Sequence, residues 1–245
     1  MLVRRLIPAP KPPVPIPAPE GLEVLRVVHS PTARRLALRV DPLRGDICLV
    51  IPKRVSQKTA WQFADSNRGW ILTRLAKMHK PVLFTDGATI PVFGIDRTIV
   101  ITPTGGRTTA ITLTDTTLEV HTPRTDPATN IKRFLYQTLE DTARPCAHAK
   151  AASIGKTVSE IQLRDTRTRW GSCAPDGRMM LCWRLVFAPI QVIDYVVAHE
   201  VAHLKHMNHS KRFWDVCEQL SDDMHFAKDW LNKHGESLLR YGGRP

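Results

Sequence analysis

Residues 197–209 read VAHEVAHLKHMNH, and we expect the rest of the chain to fold around this stretch. Within it lies the pattern H-E-x-x-H, formed by His199, Glu200 and His203. Residues four apart lie on one face of a helix, so the two histidines can direct both imidazoles at one ion. Zinc accepts imidazole nitrogen, and a catalytic zinc site has three protein ligands and leaves a position for water. Glu200 follows the first ligand and can act on that water as a general base.

The residues around this pattern are mostly apolar from Ile190 to Leu204. A helix that is apolar nearly all round is buried. Burying two histidines and a glutamate without partners would cost about 2 kcal/mol or more for each unsatisfied group. A bound metal accounts for the three polar residues together. The alternative is a solvated helix face that carries ordinary polar residues.

A third ligand can come from either of two histidines that follow. His206 lies seven residues after His199, so on an unbroken helix it shares the ligand face, whereas His209 would lie about 80° away around the axis. Asn208 tolerates a left-handed conformation, and Ser210 is a favourable N-cap for a new helix. We therefore expect the first helix to end near residue 205, and we predict His209 as the third ligand.

The composition indicates a globular protein. A length of 245 residues is enough for one domain or two small ones, and no apolar run approaches the length of a membrane span. The five cysteines are odd in number and form no C-x-x-C pattern. This favours reduced thiols in the cytoplasm over a disulfide framework or a cysteine zinc site.

The positive charge is unevenly distributed along the chain. The formal net charge is +12, and residues 1–80 hold 15 Lys and Arg against 5 Asp and Glu, whereas the remaining residues hold 20 against 18. Such asymmetry is compatible with an acidic partner for the first part, for which nucleic acid is one candidate. A solvated basic surface is the alternative.

The chain divides into three predicted segments. Residues 1–21 contain seven prolines between positions 8 and 19, which predicts a disordered leader. Residues 22–125 form a β-rich part with one long helix, which is expected from Ser56 to about His79. Residues 126–245 contain a helix, a hairpin of strands, the motif helix after Pro189 and two further helices, and they form the predicted catalytic part. This order of elements predicts an α+β fold.

Several joined motifs resemble one known family. They are RWGSC at 169–173, WRL at 183–185, DYVVAHE at 194–200 and HMNHSKRFW at 206–214. This run is similar to the YgjP-like metallopeptidase family, which is related to the SprT-like zincins. The resemblance is dense from about residue 130 to 220 and weaker in the N-terminal strands. Cys182 departs from it, because the family usually has asparagine before the tryptophan.

The resemblance implies a zincin-like metallopeptidase domain with the β-rich N-terminal part packed on it. It implies one Zn²⁺ ion held by His199, His203 and His209, with Glu200 as the catalytic base. Substrate contacts are less determined. Trp170, Gly171 and Ser172 could offer a strand edge for an extended peptide, or could serve only as packing residues. Tyr195 could donate to a developing oxyanion or could be buried with a backbone partner, and His206 could contact substrate.

These observations predict a zinc metallopeptidase that cleaves peptides or proteins in the cytoplasm, with no membrane partner. Two alternatives remain at this point. One is a metal-dependent hydrolase of a nucleotide or another phosphate anhydride, which the basic N-terminal half would suit. The other is a nucleic-acid-associated module with a structural zinc, which would need four protein ligands and no open water position.

Overall fold

The computed structural model describes residues 17–243, so residues 1–16 of the predicted leader, residues 1–21, lie outside it. The chain divides into two compact units at residues 78 and 79. The first unit comprises residues 17–41 and 45–78 of the described chain, and the second comprises 42–44 and 79–243. Each unit has its own cluster of buried apolar side chains.

The first unit consists of a three-stranded sheet and two helices. Its strands are β1 (Arg26–Ser30), β2 (Ala37–Asp41) and β3 (Asp46–Pro52), and its helices are α1 (Gln57–Ser66) and α2 (Arg68–Lys77). The central strand β3 pairs in parallel with β1 and antiparallel with β2. Its side chains at 47, 49 and 51 are fully buried and form the core with α1 and α2.

The single long helix predicted from Ser56 to about His79 is wrong, because the chain forms α1 and α2 instead. Ser56 is the N-cap of α1, and its hydroxyl accepts a hydrogen bond from the Thr59 N–H. Asn67 interrupts the helix, since its side-chain amide donates to the Phe63 carbonyl over 2.8 Å. That carbonyl is the acceptor that a continuous helix would use for the backbone N–H of the same residue.

The second unit begins with a four-stranded sheet in the order β4-β5-β7-β6. Its strands are β4 (Thr89–Val92), β5 (Ile95–Pro103), β6 (Ala110–Leu113) and β7 (Thr117–Thr122). The sheet shares one apolar core with the long helix α3 (Ala128–Ser153). The boundary expected between residues 125 and 126 therefore differs from the division found, because the buried side chains of β5 and β7 belong to the same core as the following helices.

The remainder of the second unit carries the H-E-x-x-H pattern. A three-stranded sheet in the order β8-β10-β9 precedes a 3₁₀ helix at Trp183–Phe187 and three α-helices. The elements are β8 (Glu160–Arg164), β9 (Gly171–Cys173), β10 (Arg178–Cys182), α4 (Ile190–Ala202), α5 (Lys211–Leu220) and α6 (Met224–Leu238). Helices and strands together confirm the predicted α+β class. None of the helices in the described part of the chain combines the length and hydrophobicity needed to cross a bilayer.

Helix α4 is buried on nearly all sides, as its apolar sequence predicts. The Asp194 carboxylate joins α4 to neighbouring segments through one ion pair and one hydrogen bond. This carboxylate lies 2.7 Å from the Lys150 ammonium of α3, and both side chains are only 13% exposed. The same carboxylate accepts a hydrogen bond from the backbone N–H of Asp222, which lies between α5 and α6. These contacts hold in place the helix that carries the candidate site.

Candidate metal centre and active site

Three histidines converge where α4 ends. His199 lies in the last turn of the helix and His203 is its C-cap residue. The chain then turns, and His209 comes back just before Ser210, the N-cap position of α5. One ring nitrogen of each histidine lies within 4.8 Å of those of the other two. The structure thus brings together the three residues that sequence reasoning chose as ligands.

His206 takes a different place from the one that an unbroken helix would give it. Its backbone carbonyl lies 3.2 Å from Nδ1 of His203, whereas its side chain is not part of the histidine cluster. Because a carbonyl can only accept, Nδ1 of His203 must carry the proton. Nε2 of that neutral ring is then free to act as a ligand, which is the usual outer-shell arrangement for a metal-bound histidine.

The spacing between two of the ring nitrogens fits a shared metal ion. Tetrahedral zinc with Zn–N bonds of about 2.0–2.1 Å places its nitrogen ligands about 3.3 Å apart. Nε2 of His199 lies 3.2 Å from Nε2 of His209. Burial, together with the neighbouring His203 and His209, lowers the pKa of His199 to about 4. The ring is therefore neutral at physiological pH, as a metal ligand must be.

Two aromatic residues of α5, Phe213 and Trp214, pack against the histidine rings. The buried ring of Phe213 lies with its centroid 4.6 Å from His203 and 4.7 Å from His209. Trp214 stacks on His209 at 5.6 Å with an interplanar angle of 27°. Phe213 thus lies against all three candidate ligands, whereas Trp214 lies against His199 and His209, and nothing in the sequence pattern revealed these contacts.

Glu200 is only 5% exposed and lies against strand β9. A Cβ atom built on Gly171 would lie 2.4 Å from Oε1 of Glu200 and 2.6 Å from its Cγ. Only glycine therefore fits at this strand position while Glu200 keeps its place. Burial raises the pKa of Glu200 to about 8, and the positive charge of Arg169 acts in the opposite direction.

Trp170 and Ser172 flank this glycine and have different surroundings. The Trp170 ring packs on α6 at Gly235, where an added Cβ would lie 3.3 Å from the indole. Ser172 is half-buried and pairs with Met180 of β10. Strand β9 is at the edge of its sheet, so within residues 17–243 no strand pairs with its other side. Residues 170–172 thus show both features that the sequence left as alternatives. Trp170 is a packing residue, and one side of β9 is not paired with another strand of the described chain.

A pocket of about 250 Å³ opens beside Glu200 and His199. Tyr195 forms part of its wall, with its ring centroid 6.0 Å from that of His199. Tyr195 is 7% exposed, and burial raises its pKa to about 12. Its hydroxyl forms no hydrogen bond to any described residue, so the structure lacks the backbone partner that is usual for a buried tyrosine. The remaining lining residues are Arg169, Trp170, Gly171, Val196 and Leu231.

Cys182, the departure from the family pattern, anchors the loop that leads to this pocket. Its thiol donates to the Thr166 carbonyl over 3.3 Å, and its backbone N–H donates to the Trp170 carbonyl over 2.7 Å. An asparagine amide could make the same side-chain donation, which explains how a cysteine can replace it here. All five cysteines of the chain are free thiols.

Comparisons with known proteins were made for the whole chain. No curated protein sequence matches it significantly. A crystal structure of the metallopeptidase zymogen abylysin of Pyrococcus abyssi is 19% identical and covers 45% of this chain and 97% of its own. Its TM-score is 0.30, which is too low to support an argument. The family model of the YgjP-like metallopeptidase domain matches residues 34–234. That match spans most of the sequence, so the chain belongs to the YgjP-like family of metal-dependent peptidases.

Proposed function

We propose that this protein is a zinc-dependent peptidase that hydrolyses peptide bonds of cytoplasmic peptides or proteins. The observation that carries the proposal is the convergence of His199, His203 and His209 beside the buried carboxylate of Glu200. Family membership implies a divalent metal. Imidazole ligands and a nitrogen spacing close to that of a tetrahedral site favour zinc among the divalent ions. Free thiols throughout the chain fit a reducing compartment.

The ligand set supports a catalytic ion over a structural one. Within residues 17–243 the three histidines are not joined by a fourth His, Cys, Asp or Glu in the cluster. Structural zinc sites are closed by four protein ligands, whereas catalytic sites use three and leave a position open. The pocket beside Glu200 gives a substrate access to that position. A nucleic-acid-associated module with a structural zinc is therefore the weaker interpretation.

The protein groups around the histidines have complementary roles in peptide hydrolysis. The ion, when bound, acidifies water and polarises a carbonyl group as a Lewis acid. The Glu200 carboxylate accepts the proton of the attacking water and returns it to the leaving amine. Gly171 of strand β9 leaves the space that this carboxylate occupies and thereby helps to fix its position. The free hydroxyl of Tyr195 is available to donate to the oxyanion of the tetrahedral intermediate.

Substrate binding is assigned to the edge of β9 and to the adjoining pocket. An extended peptide can pair with the unpaired side of Gly171–Cys173 through backbone hydrogen bonds. Trp170 and Tyr195 would contact its side chains from the pocket wall, and Ser172 lies on the same strand. His206 follows the ligand helix at a half-buried position and is a further candidate for a substrate contact.

The decisive experiment compares wild type with Glu200→Gln, which keeps the shape of the side chain and removes the base. Both proteins, loaded with zinc, are incubated with a peptide library, and cleavage is followed by mass spectrometry. We expect turnover to fall by about 100- to 10,000-fold, since general-base catalysis contributes on that order. Zinc content should stay at one ion per chain. Glu218→Gln, an exposed change on α5, is the matched control and should leave turnover unchanged.

Two outcomes would redirect the proposal. A Glu200→Gln protein that keeps its zinc and wild-type turnover would refute the role of the carboxylate. Cleavage of nucleotides in place of peptides by the same zinc-loaded protein would favour phosphate anhydride hydrolysis. Nucleic-acid binding by the basic N-terminal half stays a prediction. It would be seen as binding to DNA or RNA that weakens steeply with salt, because bound counterions are released.

A further inference from the structure

The pocket beside Glu200 has a chemically uneven lining. Val196, Leu231 and the Trp170 indole provide apolar surface, and Glu200 is the single acidic residue that lines it. Arg169 is the single residue with a permanent positive charge in the lining. An arginine that lines a small, largely apolar pocket can offer its guanidinium group to a planar anion.

Arg169 is exposed and, unlike Arg178 and Arg184, has no acidic partner in an ion pair among the described residues. Arg184 pairs with Asp165, and Arg178 pairs with Asp176 at 2.8 Å. No carboxylate of residues 17–243 forms a salt bridge with Arg169, and its electrostatic influence on Glu200 is the interaction found. Its guanidinium donors are therefore available to a ligand in the pocket.

Two further features make the pocket favourable for a negative group. The hydroxyl of Tyr195 has no hydrogen-bond partner among the described residues and lies on the same pocket. The Lys228 ammonium lies 4.4 Å above the Trp214 ring, beside the histidine cluster, and its positive charge helps to lower the pKa of His199. A bound divalent ion would add more positive charge than Glu200 can offset.

We propose that this pocket binds a carboxylate group of the substrate and that Arg169 determines this specificity. The inference rests on the proposed peptidase function and names its substrate class, which is an anionic peptide. An arginine fork matches a carboxylate through two parallel N–H···O hydrogen bonds. The carboxylate can be the side chain of Asp or Glu next to the cleaved bond, or the C-terminal carboxylate of a short peptide.

The test uses matched peptides that differ in one group. One pair carries Glu or the neutral Gln at each position around the cleaved bond, and a second pair has a free or an amidated C-terminus. Wild type should prefer the charged member of one pair by about 10- to 100-fold in kcat/KM, as expected for charge-assisted hydrogen bonds. The pair that shows the preference identifies the source of the carboxylate.

Arg169→Gln should abolish that preference. Arg164→Gln is the matched control, because Arg164 is an exposed arginine on β8 outside the pocket lining, and it should keep the wild-type preference. An equal loss for charged and neutral peptides in Arg169→Gln would overturn the proposal, since it would mean that Arg169 acts only through Glu200. A wild type without any preference for charge would overturn it as well.

A binding measurement separates this inference from the proposed peptidase function. N-acetylglutamate and the neutral N-acetylglutamine amide, which carries no carboxylate, are titrated into the zinc-loaded Glu200→Gln protein, and binding is followed by isothermal titration calorimetry. We expect the acid to bind at least 10-fold more tightly, and Arg169→Gln in the same background to remove the difference. If no peptide is cleaved by wild type but this difference is found, the peptidase proposal fails and the carboxylate pocket stands. Equal binding of both compounds refutes the pocket.

Discussion

Gly171→Ala provides the sharpest test of how this site is built. The added methyl group would lie 2.4 Å from Oε1, 2.6 Å from Cγ and 2.7 Å from Cδ of Glu200. Carbon atoms in favourable contact are about 3.5–4.0 Å apart, so the carboxylate must move by about 1 Å. Glu200 is 5% exposed, so its carboxylate can leave the new methyl group only by moving towards the pocket that it lines, away from its place beside β9.

The expected consequences differ in size for stability and for activity. Overpacking a filled interior costs about 1–3 kcal/mol of the free energy of unfolding. A displacement of about 1 Å at a reacting group reduces turnover by about 100-fold. Zinc binding should persist, because the three atoms nearest to the new methyl group all belong to Glu200 and not to a histidine. We therefore expect a folded, zinc-loaded protein that is nearly inactive.

Three measurements check this expectation. Urea unfolding gives the loss of stability, metal analysis gives the zinc content, and peptide hydrolysis gives kcat/KM. Gly69→Ala is the control, since a Cβ at that helical glycine would meet nothing within 4 Å. In a Glu200→Gln background, Gly171→Ala should cause no further loss of turnover. Gly171→Ala with zinc bound and turnover within about threefold of wild type would refute the proposed contact as a determinant of activity.

Three further changes test other parts of the site. His209→Ala should abolish zinc binding while His206→Ala retains it, since His206 contributes only its backbone carbonyl; metal analysis showing the reverse would contradict the assignment. Asp194→Ala should lower the free energy of unfolding by about 3 kcal/mol because it leaves the Lys150 ammonium buried without its partner, and a loss below about 1 kcal/mol in urea would contradict this. Cys182→Asn should be more stable to heat than Cys182→Val, because only the amide keeps the donor to the loop carbonyl; equal melting temperatures would argue against that hydrogen bond.

The convergence of the three histidines was predictable from sequence because its determinants are local. The four-residue spacing of His199 and His203 fixes their common face on any helix. Asn208 and Ser210 predicted a break between two helices, and the chain does break there, which decides between the two candidate third ligands. The mechanism differs from the expected one, because Asn208 does not adopt a left-handed conformation and the Ser210 side chain makes no capping hydrogen bond. The buried character of α4 likewise follows from its own apolar residues.

The features that sequence reasoning missed depend on contacts between distant residues. Asn67 reads as an ordinary helical residue, but its side chain competes for a backbone acceptor and divides the helix. The strands between residues 89 and 122 are recognisable from their alternation, yet alternation does not reveal which core their apolar faces join. The approach of Gly171 to Glu200 joins a strand and a helix that are 29 positions apart, and no pattern within either segment indicates it.

The segments RWGSC and HEVAH are joined by direct contacts in the fold. Gly171 is small because Glu200 occupies the space of its missing side chain, and Trp170 is held between the pocket and Gly235 of α6. The backbone of the same loop is tied to β10 through Cys182. A single segment therefore sets the position of the Glu200 carboxylate and, through Arg169, the charge of the adjoining pocket. Changes in this loop should consequently alter both turnover and substrate preference, whereas changes in the histidines should alter metal content first.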